Sequence, residues 1–461
     1  MPAYIAYEIW RDLADGVLPN DFGLCRGGHV EGVPPAESSL TEWLYYGIQG
    51  AAGKKLDEPL TFKDLWDAPG GPDESPKPPA QSKKRPRSID LRMITTNLTH
   101  GRPCGLPLED KTSRLFFKLE ELKKFFPPQV MEHLARQPKR YAPASAEDPP
   151  ASDETSDLLE LPKGDLPLVV AARLSLSFPL LFSTVPLWAI DYESVPAKRR
   201  KLRKCRFSDG GICSNFPIHM FDSAIPEWPT FGILLSRRSI FRKDLSVWLP
   251  QRHDQGHFDR WDRFNDEPSP VCRLAGFVKA IIWTAKDWND RATVRIPGVR
   301  DRVVNLYLKS EEGGLNLSLS KSEILDLART YGPPAGRALV ERFAGSSAQD
   351  GLAAGWREHR WVRFNSFLVA LRERVAALTT ATEEVGHAQP MSKQIDQARE
   401  RAPLEDDPDC AAGQPLTKAQ ARDLANLLAA LKDLETAFSL AVMAQPYEPQ
   451  PEPELRNRAP L

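Results

Sequence analysis

Apolar and polar residues alternate in the first strand that the sequence predicts. In "IDLRMITTNLTHG", Ile89, Leu91 and Met93 alternate with polar neighbours, and a His-Gly turn follows. A period of two residues is typical of a strand with one buried face. Further along, "LPLVVAARLSLSFPLLFSTVPLWAIDY" is dense in apolar and β-branched residues, which predicts a strand, a helical turn over about 171–177 and another strand. Residues 231–236, "FGILLS", predict one more short buried strand, of the continuous apolar kind that parallel sheets use.

Capping residues and helical periodicity predict the helices. Residues 4–66 are predicted to be mostly helical, and Thr61 caps a short helix through Asp64. In the second half, "CRLAGFVKAIIWTAKDWND" predicts a helix, "RVVNLYLK" a strand, and Ser320 with Glu323 a capping box for "KSEILDLARTYG". Two apolar stripes at helical spacing predict two later helices, and the second of these is a terminal helix over 417–444. The first stripe consists of Trp361, Phe364, Leu368, Leu371, Val375 and Leu378. The second consists of Leu424, Leu427, Leu431, Leu434 and Phe438.

Proline-rich segments divide the chain. The sequence has 42 prolines, well above the usual share of about 5%. They concentrate in segments that cannot pack a core, which predicts flexible loops at 68–88 and 137–157. Strands and helices that alternate through the first half predict an α/β domain over 1–235. A mostly helical extension follows over 236–380, and 381–461 is predicted to hold a linker, the terminal helix and a disordered tail.

The overall charge and the cysteines exclude several classes of protein. Lys and Arg total 61 against 62 Asp and Glu, so a generally basic nucleic-acid binder is excluded. The six cysteines are scattered without a Cys-x-x-Cys pair, which favours neither a zinc site nor a disulfide framework and predicts a reducing, cytoplasmic compartment. The first residues, "MPAYIAYEIWRDLADG", do not have the pattern of a secretory signal. The longest uncharged stretch, 174–190, is shorter than the about 20 apolar residues of a membrane span.

Asp209, in the stretch "SDGGICSNFP", is a candidate functional residue. Two glycines follow the aspartate, and Asn215-Phe216-Pro217 form a turn signal. An Asp-Gly pair often marks a tight turn in which positive φ is needed. The alternative is a carboxylate held at the end of a strand, where Gly210 and Gly211 let the backbone turn without a Cβ clash.

Three ordered motifs carry a resemblance to the patatin-like phospholipases, which are serine lipid acyl hydrolases. The segments are "TTNLTHG" at 95–101, "ARLSLSFPLLF" at 172–182 and "DGGICSNFP" at 209–217; "PLTFKDLW" at 59–66 also matches. The resemblance covers about 20–235. It implies a three-layer α/β fold, a sheet with helices on both faces, and an N-terminally truncated form of it.

The resemblance also implies a site and a chemistry. Asp209 is similar to the family's dyad aspartate, the proton acceptor of a Ser-Asp pair, and Gly210, Gly211, Asn215 and Pro217 are similar to the residues that support it. Such a dyad hydrolyses acyl esters of phospholipids or related lipids, with a lipid or membrane surface as partner and with neither a metal nor an organic cofactor. Residues 236–380 resemble the longer C-terminal region of a bacterial subgroup.

The serine that this chemistry needs is not found in its usual motif. No serine has glycine at both −2 and +2; Ser347, with Gly345 before it but Gln349 after it, comes nearest. The glycines of "LCRGGHVEG", residues 24–32, are either oxyanion glycines or a plain loop. Because the order of the matched segments places the family's first strand, oxyanion loop and elbow before residue 1, we expect a truncated family member, or alternatively a degenerate one. Either way the chain is predicted to be inactive, and the rival function is a non-catalytic membrane-associated or regulatory protein.

A basic run at 197–206 is the second candidate site. Its cations are Lys198, Arg199, Arg200, Lys201, Arg203, Lys204 and Arg206. The run is either a solvated hairpin tip or a loop that faces an anionic membrane, and peripheral membrane attachment would follow from the latter. Nucleic-acid binding is disfavoured, since no aromatic residues interleave with the charges.

His253 and His257 are predicted to be loop histidines rather than metal ligands, because a glycine interrupts any helix between them. The oligomeric state stays open.

Overall fold

The computed structural model describes most of the chain. The described residues are 11, 15–28, 39–70, 87–109, 114–136, 139–194, 200–223, 225–226, 228–237, 245–252, 254–256, 266, 269–309, 312, 318–344, 354–383, 390–400 and 418–442. The chain divides into two compact units: Met1–Pro217 with Thr284–Asp287 and Leu461, and Ile218–Trp283 with Trp288–Pro460.

The first unit is built on an antiparallel sheet. Its strands are β1 Gly23–Cys25, β2 Met93–Asn97, β3 Arg102–Leu106, β4 Phe116–Lys118, β5 Leu158–Glu160, β6 Leu180–Phe182, β7 Val185–Ile190 and β8 Leu202–Asp209. Six of them form one sheet in the order β3-β2-β8-β7-β4-β5, and every neighbouring pair is antiparallel. β1 and β6 form a separate parallel pair. Strand β8 therefore lies inside the large sheet, between β2 and β7.

Helices pack with the sheet around one main core. In the first unit they are α1 Leu40–Ala52, α2 Phe62–Trp66, α3 Leu119–Leu122, α4 Pro128–Arg136 and α5 Leu168–Ser175. Alternate residues of the strands enter two clusters: Phe117 and Leu187 join the main core, whereas Phe116 and Ile190 join a smaller cluster with Tyr141. This alternation follows from the period of two residues in a strand. The predicted mixed α/β fold class is confirmed.

Several local predictions are correct, but some helices and strands begin at other residues than predicted. The capping box of Thr61 and Asp64 is present at the start of α2. Strand β2 begins at Met93, so the exposed Ile89 lies before it. Helix α5 begins at Leu168, three residues earlier than predicted. The predicted loop 137–157 contains the buried Tyr141, whose ring packs edge-on against Phe116.

The second unit combines a small sheet with long helices. Strands β9 Gly232–Arg237, β10 Val247–Trp248 and β11 Val303–Leu308 pair in the order β10-β11-β9. The helices are α6 Pro270–Arg295, α7 Lys321–Phe343, α8 Ala354–Glu383, α9 Met391–Glu400 and α10 Lys418–Val442. The prediction that 231–236 pairs in parallel is correct, since β9 runs parallel to β11. The prediction that this strand is buried is wrong: Ile233 and Leu235 lie on the same face of β9, and both are exposed. The domain boundary at residue 235 stays a prediction, although β9 belongs to the second unit.

Helix α7 runs further than its sequence predicts. Its capping box of Ser320 and Glu323 is present, but the helix continues through Pro333 and Pro334 to Phe343. Burial of the helix explains the extension, because Tyr331 and Phe343 pack in a core cluster with β11. The predicted stripe on α8 is also displaced: Trp361 is exposed, whereas its neighbours at 362, 365, 366 and 369 are buried.

Candidate active site

Asp209 is the last residue of β8, in the interior of the large sheet. Across β2 it is in register with Thr95. Its backbone N–H donates to the carbonyl oxygen of Ser177 at 3.0 Å, and its backbone carbonyl accepts from Thr96 Oγ1 at 2.8 Å. The backbone of Asp209 is thus fixed from two sides. The structure places this aspartate at the end of a strand rather than in a hairpin bend.

The carboxylate of Asp209 is half-buried and is held on one side. Oδ1 accepts a hydrogen bond of 2.6 Å from the backbone N–H of Gly211, which caps the 3₁₀ turn Gly210–Ile212. Among the described residues, no serine hydroxyl hydrogen-bonds with this carboxylate and Oδ2 has no hydrogen-bond partner. One oxygen therefore has a fixed position, while the other is able to accept a proton.

Close packing, rather than an unusual backbone conformation, explains why glycine occupies positions 210 and 211. A Cβ atom on Gly210 would lie 2.0 Å from the carbonyl oxygen of Ile94, and one on Gly211 would lie 2.9 Å from Asp209 Oδ1. Neither glycine has positive φ, so the tight-turn alternative does not describe this site. The glycines are needed because β2 and the carboxylate itself leave no space for a side chain.

The two other supporting residues of the motif lie on the turn that follows. Asn215 is exposed, and its Oδ1 lies 2.6 Å from the position of a Cβ on Gly211. Pro217 is half-buried, and Phe216 between them is buried. Asn215 therefore also limits the space at Gly211, and the buried Phe216 anchors the turn.

A buried arginine supports the same region, and no pattern in the sequence indicates its role. Arg173 on α5 is 0% exposed; it donates to the carbonyl oxygens of Arg26 at 2.8 Å and Ser183 at 3.0 Å and to Ser177 Oγ. Burial lowers its pKa to about 10, which still leaves it charged at neutral pH. Ser177 in turn accepts from Asp209 N and Ser208 Oγ. Arg173 therefore connects the residues around Gly27 to the backbone that carries Asp209.

The glycines of "LCRGG" lie in an ordered segment. The short parallel strand β1 ends at Cys25, and Gly27 follows with a φ of +64°. The carbonyl oxygen of Gly27 accepts from the N–H and the hydroxyl of Thr41 at 3.0 and 2.6 Å. Strand β1 has three residues and an exposed Leu24, so it is too short to give a pattern in the sequence. An oxyanion role for these glycines remains untested.

Two cysteines of the large sheet, Cys104 and Cys205, have raised pKa values. Cys205 Sγ lies 3.7 Å from His100 Nε2, and His100 lines a cavity of about 310 Å³ together with Cys104. Burial raises the pKa of the Cys205 thiol and raises that of Cys104 to about 11. Because the thiolate is the nucleophile, a raised pKa makes both groups weaker nucleophiles than an ordinary cysteine. Asp209 does not line this cavity.

Acidic side chains pair with several cations of the basic run, which its sequence does not indicate. Lys198 and Arg199 lie outside the described residues. Of the others, Arg200 pairs with Glu147 at 2.7 Å, Arg203 with Asp191 at 2.5 Å and Lys204 with Glu121 at 2.5 Å; Lys201 is exposed. Arg206 also pairs with Asp21, so carboxylates already neutralise four of the charges. A membrane role of this loop stays a prediction.

The remaining candidates add little to the site. Ser347, His253 and His257 fall outside the described part of the chain. Within that part, no cluster of three or more His, Cys, Asp or Glu residues could hold a metal ion. No described helix combines the length and the hydropathy needed to cross a membrane.

Comparison with known proteins relates part of the chain to a family. The family model of patatin-like phospholipases matches residues 58–222, which include Asp209 and both glycines. The chain is 34% identical over 399 residues to the "RpoH suppressor" of Rhizobium meliloti (strain 1021), a match that covers 77% of this chain and 57% of that protein. No solved structure matches the chain. Residues 58–222 therefore match the patatin-like phospholipase domain.

Proposed function

We propose that Asp209 is the proton acceptor of a Ser-Asp dyad that hydrolyses acyl esters of phospholipids or similar lipids. The observation that carries the proposal is the position of the carboxylate. It ends an interior strand, its Oδ1 is fixed by Gly211, and its Oδ2 takes no hydrogen bond from the described residues. A general base needs a fixed position about 2.6–3.2 Å from the hydroxyl that it deprotonates.

The proposed chemistry has two steps. Asp209 takes the proton of a serine hydroxyl while the serine oxygen attacks the ester carbonyl, and the proton then passes to the leaving alcohol. In the second step Asp209 takes a proton from water while the hydroxide attacks the acyl carbon. The bond from that carbon to the serine oxygen then breaks, Asp209 returns the proton to this oxygen, and the fatty acid is released. No electrons are exchanged with a cofactor, and the carboxylate ends each cycle ionised.

The serines next to Asp209 do not serve as the nucleophile. Ser177 Oγ donates to the carbonyl oxygen of Arg173 at 2.8 Å, and Ser208 Oγ donates to that of Ser177 at 2.7 Å. Both side chains are fully buried. Because the 461 residues contain no Gly-x-Ser-x-Gly either, we propose that this chain by itself is inactive.

The four neighbours of Asp209 act on its geometry in this proposal. Gly210 and Gly211 admit the close approach of β2 and of the carboxylate, and the N–H of Gly211 keeps Oδ1 in place. Asn215 and Pro217 shape the turn that follows. None of them takes part in proton transfer.

The test separates the base from the nucleophile. The chain alone is treated with a fluorophosphonate probe and assayed with a phospholipid, and the same chain is joined at its N-terminus to a glycine-rich strand and a Gly-x-Ser-x-Gly elbow of the family. We expect no specific labelling of the chain alone, and labelling with hydrolysis in the joined protein. Specific labelling of a serine in the chain alone would refute the inactive assignment. A joined protein that is folded, is labelled and yet is independent of Asp209 would refute the dyad.

A further inference from the structure

Helix α6 carries apolar side chains that are exposed in the part of the chain that the structure describes. Val271 is 76% exposed, Leu274 65% and Ile282 60%, and Val278 and Ile281 are each about half exposed. Single exposed apolar side chains are common, but a contiguous set on one helix marks an interaction site.

Five of the exposed apolar residues share one side of the helix, whereas Phe277 and Trp283, which are 48% and 39% exposed, lie outside that side. At 100° per residue, Val271, Leu274, Val278, Ile281 and Ile282 share a stripe about one third of the circumference wide. Arg273 and Lys279, both exposed, lie outside this stripe on opposite sides of it.

The charge of this surface has one sign. Between residues 270 and 286 the sequence contains Arg273, Lys279 and Lys286 and neither Asp nor Glu. The first acidic residue is Asp287, which pairs with Lys286 at 3.4 Å. An apolar stripe flanked by cations matches an anionic lipid surface, in which apolar side chains enter the acyl boundary and long basic side chains reach the headgroups.

We propose that the segment 270–286 of α6 docks on the surface of a bilayer that contains anionic lipids. The helix lies in the plane of the interface, since it is not apolar enough to cross a membrane. Its 17 residues give a contact about 25 Å long. The proposal goes beyond the hydrolytic function, because docking needs neither Asp209 nor a serine.

The test is co-sedimentation of the chain with vesicles of phosphatidylcholine, with and without 30% phosphatidylglycerol. We expect binding to the anionic vesicles, and a partition coefficient at least tenfold lower for Val278→Asp. Lys279→Gln is expected to lower anionic binding about fivefold and to leave binding to neutral vesicles unchanged. Val340→Asp is the matched control, since Val340 is 62% exposed on α7 and should leave binding unchanged.

Because the substituted side chains are exposed, the variants should keep the wild-type thermal transition, which circular dichroism checks. Wild-type binding to anionic vesicles that Val278→Asp leaves intact would overturn the proposal. Absence of wild-type binding would overturn it as well. If the free chain self-associates and Val278→Asp abolishes the association without any vesicle binding, the surface belongs to a second copy of the chain. None of these outcomes depends on hydrolysis, so failure of the dyad would leave this result unaffected.

Discussion

The carbonyl oxygen of Ile94 lies 2.0 Å from the point at which a Cβ atom of Gly210 would sit. Strand β2 thus contacts the backbone directly after Asp209, with no side chain between them. This contact, together with the hydrogen bonds from Thr96 and to Ser177, determines where the carboxylate points. The site consequently depends on backbone packing, and substitutions that touch no charge should disturb it.

Gly210→Ala should lower the free energy of unfolding by about 1–3 kcal/mol, because the added methyl group overlaps the Ile94 carbonyl. Gly47→Ala in α1 is the matched control. No atom lies within 4 Å of its new Cβ, so the substitution should stabilise the helix by about 0.5–1 kcal/mol. Urea denaturation measures both values. Equal effects at the two glycines would contradict the packing explanation.

Arg173→Met should destabilise the first unit by at least about 2 kcal/mol. The substitution keeps much of the apolar volume but leaves the carbonyl oxygens of Arg26 and Ser183 without their buried donor. Arg136→Met, at an exposed position on α4, should change stability by less than about 0.5 kcal/mol. The comparison is made by thermal and urea unfolding at pH 7. A neutral result for Arg173→Met would show that its hydrogen bonds do not support the region around Asp209.

The pH dependence of stability should show the ion pairs of Asp21. Burial raises the pKa of this carboxyl group, but hydrogen bonds and charges from Lys124 and Arg206 outweigh burial and hold the pKa below its usual value. A lowered pKa of an acid stabilises the folded state above the unfolded pKa of about 3.9, and the stabilisation is lost as pH falls through the folded pKa. Asp21→Asn should therefore lower stability at pH 7 and have a much smaller effect at pH 2.5.

The control for this pH experiment is Asp153→Asn, at an exposed position. It should change stability little at either pH. If the effect of Asp21→Asn were the same at pH 7 and pH 2.5, the charges of Lys124 and Arg206 would not be the cause of the lowered pKa.

Local features of the fold were predictable from the sequence, whereas features set by tertiary packing were not. The caps at Thr61 and Ser320 follow from side chains that bond within three residues. Helix α7 does not end at Gly332 because burial of Tyr331 and Phe343 outweighs the cost of two prolines. Strand β1 has three residues and no periodic pattern, so only its pairing with β6 reveals it.

The same division applies to the candidate site. The strand end at Asp209 could be predicted, since its two glycines are local signals of close packing. The supporting contacts from Thr96, Ser177 and Arg173 could not, because partners up to 147 residues apart in sequence meet only in the folded unit. The basic run shows the converse: its sequence indicates a free patch, but the acidic partners of Arg200, Arg203 and Lys204 come from distant segments or the preceding turn.

The measurement that tests the central claim most directly is the rate of phospholipid hydrolysis by the chain joined to a family nucleophile segment, with and without Asp209→Asn. Asp191→Asn is the matched control, because Asp191 follows β7 and pairs with Arg203. The account predicts that Asp209→Asn lowers kcat about 10²–10⁴-fold with unchanged folding, and that Asp191→Asn changes it less than about twofold. A folded Asp209→Asn protein that retains the full rate would contradict the account.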